Sequence, residues 1–203
     1  MHPSPLSKKK RVRIQTYWRQ NLRFTKAAAY LAAFGLTIST LAGCSDVTSI
    51  NNMPAQADDA AFSRTAFIFE DARNCIQLRA EESAPVTDPE VFAESIDGCV
   101  SLNIYGWTDD EIVSGFRSGD ASWLTSSSIA EDRIKVAVFT TSFGRADSGL
   151  SAQTRVYSLC WSLNFDAQTG SDFVVSDETC NPAIFLALPQ YTLTNVAELE
   201  AGR

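Results

Sequence analysis

Histidine is nearly missing from this chain of 203 residues; its one copy is His2. Lysine is almost as scarce, because beyond position 26 only Lys135 remains. With no histidine in the body of the chain, a Ser-His-Asp or Cys-His arrangement has no base. A serine–lysine dyad would have to use Lys135, and no Ser-x-x-Lys leads to it. Gly-x-Ser-x-Gly, the phosphate-binding loop and the dinucleotide fingerprint are also absent. The five cysteines include no Cys-x-x-Cys pair, which argues against a zinc site. These gaps leave carboxylates as the abundant chemical resource, and acidic residues are themselves absent before Asp46.

What is present begins with charge. Residues 1–26 hold Lys8, Lys9, Lys10, Arg11, Arg13, Arg19, Arg23 and Lys26. An uncharged stretch, Ala27–Ala42, comes next, and Leu41-Ala42-Gly43-Cys44 closes it. Positive charge ahead of an apolar run keeps the N-terminus in the cytoplasm and sends the rest across. The run has signal-peptide length and is shorter than the roughly 20 residues of a spanning helix. Charge, core and Leu-Ala-Gly-Cys in this order resemble bacterial lipoprotein precursors. The resemblance implies diacylglycerol on Cys44, cleavage before it, and residence outside the cytoplasmic membrane. Ser45, in a two-membrane cell, implies the outer membrane. An uncleaved anchor is the alternative, and it sends residue 45 onward to the same side.

Removing residues 1–43 changes the electrostatics. The nine basic residues after Cys44 face 24 acidic ones, a formal charge of −15. Such a domain is repelled by nucleic acid, so none is expected as partner. The expected partners are the membrane, through the lipid on Cys44, and an envelope protein or cationic ligand. Residues 44–59 are polar and aperiodic, which predicts a lipidated flexible tether ahead of a single domain over 60–203. Cys75, Cys99, Cys160 and Cys180 form an even set in an oxidising compartment and predict two disulfides. Of three connectivities, the chain order favours Cys75–Cys99 and Cys160–Cys180.

The expected fold class is α+β, with N-terminal helices followed by an antiparallel sheet carrying a disulfide-stapled hairpin. Phe62, Ala66, Phe69, Ala72 and Ile76 recur at helical spacing within 60–79. Thr87-Asp88-Pro89-Glu90 and Thr108-Asp109-Asp110-Glu111 have capping-box spacing and predict two short helices, the second ending at Gly119. Ser128-Ile129-Ala130-Glu131 has the same spacing and reads as a third start. Val100–Trp107 reads as a strand, and alternation from Ile134 to Phe139 and from Val156 to Phe165 predicts two more. Residues 143–153 read as the loop between them. Pairing Cys160 opposite Cys180 sets a register in which Phe165 meets Val175 and Trp161 meets Thr179. Residues 183–203 are not assigned.

Three groups of acids qualify for carboxylate chemistry: Glu70/Asp71, Asp109/Asp110/Glu111 and Glu131/Asp132. None stands out, and a solvated helix end explains each. Asp166-x-Gln168-x-Gly170-x-Asp172 partly matches a calcium loop but lacks its terminal glutamate, and turn chemistry explains it. Tyr105, Trp107 and Trp123 are a sugar-stacking set or core aromatics. No catalytic residue, cofactor or metal is therefore assigned. The expected function is a lipid-anchored binding or interaction module of the cell envelope; the alternative is a carboxylate-dependent hydrolase of envelope polymers.

Overall fold

The structure, a computed structural model, describes residues 47–115, 119–148, 151–188 and 190–202, with backbone alone for 47–51. Helices and strands come in the order α1 (Val47–Ser83), α2 (Pro89–Ser95), β1 (Leu102–Asn103), α3 (Asp109–Gly115), β2 (Ala121–Ala130), β3 (Arg133–Asp147), β4 (Ala152–Asp166), β5 (Val174–Asp177), α4 (Pro182–Ala187), β6 (Thr192–Leu193) and α5 (Val196–Ala201). One sheet runs β1-β2-β3-β4-β5, with β6 also on β4. The sheet is mixed rather than purely antiparallel: β2 to β5 alternate in direction, while β1 runs parallel to β2 and β6 to β4. Helices also come late in the chain, α4 before β6 and α5 after it, across the segment 183–203 that the sequence pattern leaves unassigned.

From residue 47 onward the expected tether is not a free spacer. Residues 47–59 are helical, part of the 37 residues of α1. Asn51, Asn52 and Pro54 argue locally against a helix, since proline removes one backbone donor. Packing overrides them: Met53 and Ala57 are buried and cluster with Ala146 of β3. The buried stripe then continues through Ala61, Thr65, Phe69, Ala72, Ile76 and Ala80, in steps of three or four. It lies across one face of the sheet.

The size of these side chains sets how closely α1 approaches. Near its start they are small, and Gly144 of β3 faces Ala57 and Ala61. A Cβ on Gly144 would fall 1.9 Å from the Ala57 carbonyl oxygen, so only glycine fits. Beside it, Thr65 Oγ1 and Ser142 Oγ both reach the Ala61 carbonyl, at 2.9 and 2.8 Å, and lie 2.7 Å apart. Two hydroxyl protons serve three contacts there. At the other end Gly170, with φ of +62°, meets Ala80; a Cβ there would lie 2.2 Å from its carbonyl oxygen. Between these clamps sit the large residues. Phe69 meets Trp161 edge-on at 4.9 Å, over Val136, Val138 and Leu163.

The box at Thr108 forms, whereas at the other site the cap is Asp88 rather than Thr87, without a reciprocal bond from Glu90. Asp88 Oδ1 accepts from the Glu90 and Val91 amides, and Thr108 exchanges bonds with Glu111. The helix behind Thr108 covers Asp109–Gly115 among the described residues, and the strand expected over 100–107 shortens to Leu102–Asn103. At Ser128 the box spacing misleads. Residues 121–130 are a strand, and Glu131-Asp132 form a two-residue turn with φ of +50° and +62°. Asp tolerates that conformation and the β2–β3 ladder demands it. The expected loop 143–153 is also mostly strand, since β3 runs to Asp147 and β4 starts at Ala152.

Both disulfides pair as the chain order suggests, Cys75 with Cys99 and Cys160 with Cys180, with Cα separations of 5.3 and 5.4 Å. The hairpin register differs. Leu163 faces Val175 and Trp161 faces Asp177, two residues from the expected alignment. A two-residue slip keeps every side chain on its face, so the parity holds while the partners change. Cys180 lies beyond β5 and reaches Cys160 from outside the ladder.

Candidate ligand groove

The two faces of the sheet are made by alternation. On β3 and β4, Val136, Val138, Leu163 and Trp161 point toward α1. Phe139 and Cys160 point away, into a smaller cluster with Trp123, Ile104, Ile112 and Ile184 that α3 and α4 cover. Beyond α4 this second face is open and polar. A bulge between Leu124 and Ser126 accounts for that. It takes one residue out of the ladder, so Ser126 and Ser128 fall opposite Ala137 and Lys135 on the open side. Thr125 spans the bulge, its hydroxyl donating to the Ala137 carbonyl at 3.0 Å.

The result is a groove of about 340 Å³. One wall is Thr125, Ser126 and Ser128; the opposite wall is Glu178, Thr179 and Asn181, and Ala137 with the Cys160–Cys180 bond lies between. Lys135 crosses the floor to an ion pair with Glu178. The hydrogen bond and charge of Lys135 hold the Glu178 carboxyl below the usual glutamate range, against the opposing effect of burial. Glu178 is therefore ionised at neutral pH. Its own amide donates to the Cys160 carbonyl at 2.9 Å, and Asn181 caps α4 by accepting from Ala183. The second wall is thus fastened by a disulfide, a backbone bond and a helix cap. The groove offers hydroxyls, an amide and one charge pair on a rigid frame, which suits hydrogen bonding to a polar ligand.

Two other hollows are less equipped. One of about 480 Å³ lies by Phe143, Val156 and Tyr191; one of about 170 Å³ lies between the end of α1 and α2. Neither brings together a charge pair and several hydroxyls.

The residues singled out from the sequence are mostly engaged in structure. Cys44 lies outside the described residues. Glu70 pairs with Arg73, and Glu111 caps its own helix, which lowers its carboxyl pKa through the Thr108 amide and hydroxyl. Asp109 and Asp110 stand in the first turn of α3, and Glu131 and Asp132 form the hairpin turn. Asp166 accepts from the Gln168 and Thr169 amides, and Asp172 binds Arg133, so the calcium-like loop spends its carboxylates on a turn. Among the described residues no group of three or more His, Cys, Asp or Glu is placed to hold a metal ion. Trp123 is buried against Phe139, whereas Tyr105 and Trp107 are each 36% exposed, so the three do not form one stacking surface. Sequence reasoning passed over Lys135 as a groove residue. The signal was its parity: it sits between core residues Ile134 and Val136 and so must point to the other face.

Among the described residues no helix is long and apolar enough to cross a membrane. No protein-family model, no curated protein and no solved structure matches the chain.

Proposed function

We propose that the protein is a binding module of the cell envelope, held at a membrane by lipid on Cys44, with the groove over Lys135 as its ligand site. The anchoring half of this reading rests on the order of basic segment, apolar run and Leu41-Ala42-Gly43-Cys44. Two disulfides support an oxidising compartment. The observation that carries the binding half is the groove itself, polar and open on a sheet whose other face is sealed. Hydrolysis by carboxylates needs two acids set across a cleft. The groove brings in one, Glu178, and Lys135 holds it ionised. That supports binding rather than proton donation.

Photo-crosslinking in intact envelopes tests the reading. A photoreactive side chain at Ser128 is expected to give a discrete adduct that the same group at Phe67, exposed on α1, does not give. Lys135→Ala in the Ser128-labelled chain is expected to reduce that adduct at least fivefold. Identical adduct patterns from both positions would remove the groove from consideration.

A further inference from the structure

The start of α1 leaves almost no chain between Cys44 and the folded domain. Val47 is already helical, and by Met53 the helix is packed on the sheet. Three residues reach at most about 10 Å. A lipid at Cys44 therefore ties down one particular end of the molecule. That end is the start of α1 together with the β3–β4 connection, because Met53 and Ala57 pack on Ala146 and Ser151 approaches Met53 at 3.9 Å. The opposite end carries the β2–β3 turn, the β4–β5 turn and the end of α1, gathered where Gly170 meets Ala80.

Charge divides the same way. Near the anchored end three pairs cancel, Arg145 with Asp147, Arg155 with Asp58, and Arg64 with Asp120, at 2.9, 3.4 and 3.0 Å, with the exposed Asp59 beside them. The opposite end holds Glu81, Glu82, Glu131, Asp132, Asp166 and Asp172 against Arg79 and Arg133. An anionic membrane surface repels that end more strongly than the first.

We infer that the domain stands upright on a lipid headgroup surface, with the β3–β4 end against the lipid and the acidic end outward. This inference rests on the anchoring reading and deepens it by naming what the β3–β4 end faces. Lys135, Ser128 and Glu178 lie toward the acidic end, since Lys135 comes only a few residues after the Glu131-Asp132 turn. The groove is then presented away from the membrane, to partners in the space beyond it.

The two ends of β4 supply the measurement. Its 15 residues span about 45 Å. The full chain, processed in its own membrane and purified, is reconstituted into phosphatidylcholine–phosphatidylglycerol vesicles whose headgroups carry an energy-transfer acceptor. A donor fluorophore is placed through an unnatural side chain at Ala152 or at Gln168, both exposed. Transfer at least threefold stronger from Ala152 is expected; equal transfer, or stronger transfer from Gln168, overturns the upright placement. Mass analysis of the N-terminal peptide reports separately on the lipid. If Cys44 is unmodified while the chain still floats with vesicles, the lipid reading fails, and the transfer ratio still decides the orientation, now set by the nearby apolar run. Failure to float with the vesicles overturns both.

Discussion

The two faces of the sheet share the same strands and differ in what covers them. Toward α1, side chains from three strands meet a helix whose buried stripe matches them along its length, and Phe69, Trp161, Phe165 and Ile134 are fully buried. On the other side α3 and α4, of seven and six residues, cover only the middle. Along the groove the hydroxyls of Ser126 and Ser128, with Lys135 and Glu178, stay in reach of water. One face invests its residues in burial and the other leaves them available. Alternation along a strand is thus enough to place a stable core and a working surface back to back.

Three measurements test that division. Phe69→Ala empties the centre of the covered face and is expected to cost about 3–5 kcal/mol in denaturant unfolding. Leu186→Ala on α4, where the side chain is 79% exposed, is expected to stay within about 0.5 kcal/mol. Similar costs for the two would mean that the faces are not energetically distinct. Next, replacing both Cys160 and Cys180 by alanine reopens a loop of 20 residues and is expected to cost about 3 kcal/mol. Hydrogen exchange should then rise first at residues 178–181, the outer wall of the groove. Unchanged exchange there would show that the cap at Asn181 holds the wall without the disulfide.

The smallest effect concerns acid. Lys135 depresses the folded pKa of Glu178, so the stabilisation is present above the unfolded-state value and is lost as pH falls through the lower folded one. Glu178→Gln is expected to cost about 0.5 kcal/mol at pH 7, and the difference from the parent should vanish once the pH has fallen below the depressed folded value. A difference that instead grew in acid would contradict the ion pair.

The sequence was most readable where local chemistry and tertiary demand agree. The caps at Asp88 and Thr108 form because the same residues satisfy the first-turn amides in any context. The alternation in Ile134–Phe139 and Val156–Phe165 survives because each parity has its own destination. Reading failed where packing overruled propensity: Pro54 sits in a helix because Met53 and Ala57 find Ala146, and Ser128 begins no helix because β3 holds it in a ladder. The cysteine pairing was legible while the register was not, since parity is blind to a slip of two. Lys135 escaped notice as a groove residue because its partner, Glu178, is remote in sequence and enters through a register that only the fold reveals.

Thr125 sets the phase of β2 as one extra letter sets the phase of a two-letter code. A strand spells inside, outside, inside, outside, and β2 contains one letter too many for its partner. The bulge swallows that letter, so every later residue of β2 takes the other phase. Pulled back into the ladder, Thr125 would turn Ser126 and Ser128 into the core and send Ser127 and Ile129 into the groove. The phase that was chosen has its own mark: the buried hydroxyl of Ser127 has no hydrogen-bond partner. The chain leaves one serine stranded on the dry side so that two others can face a ligand.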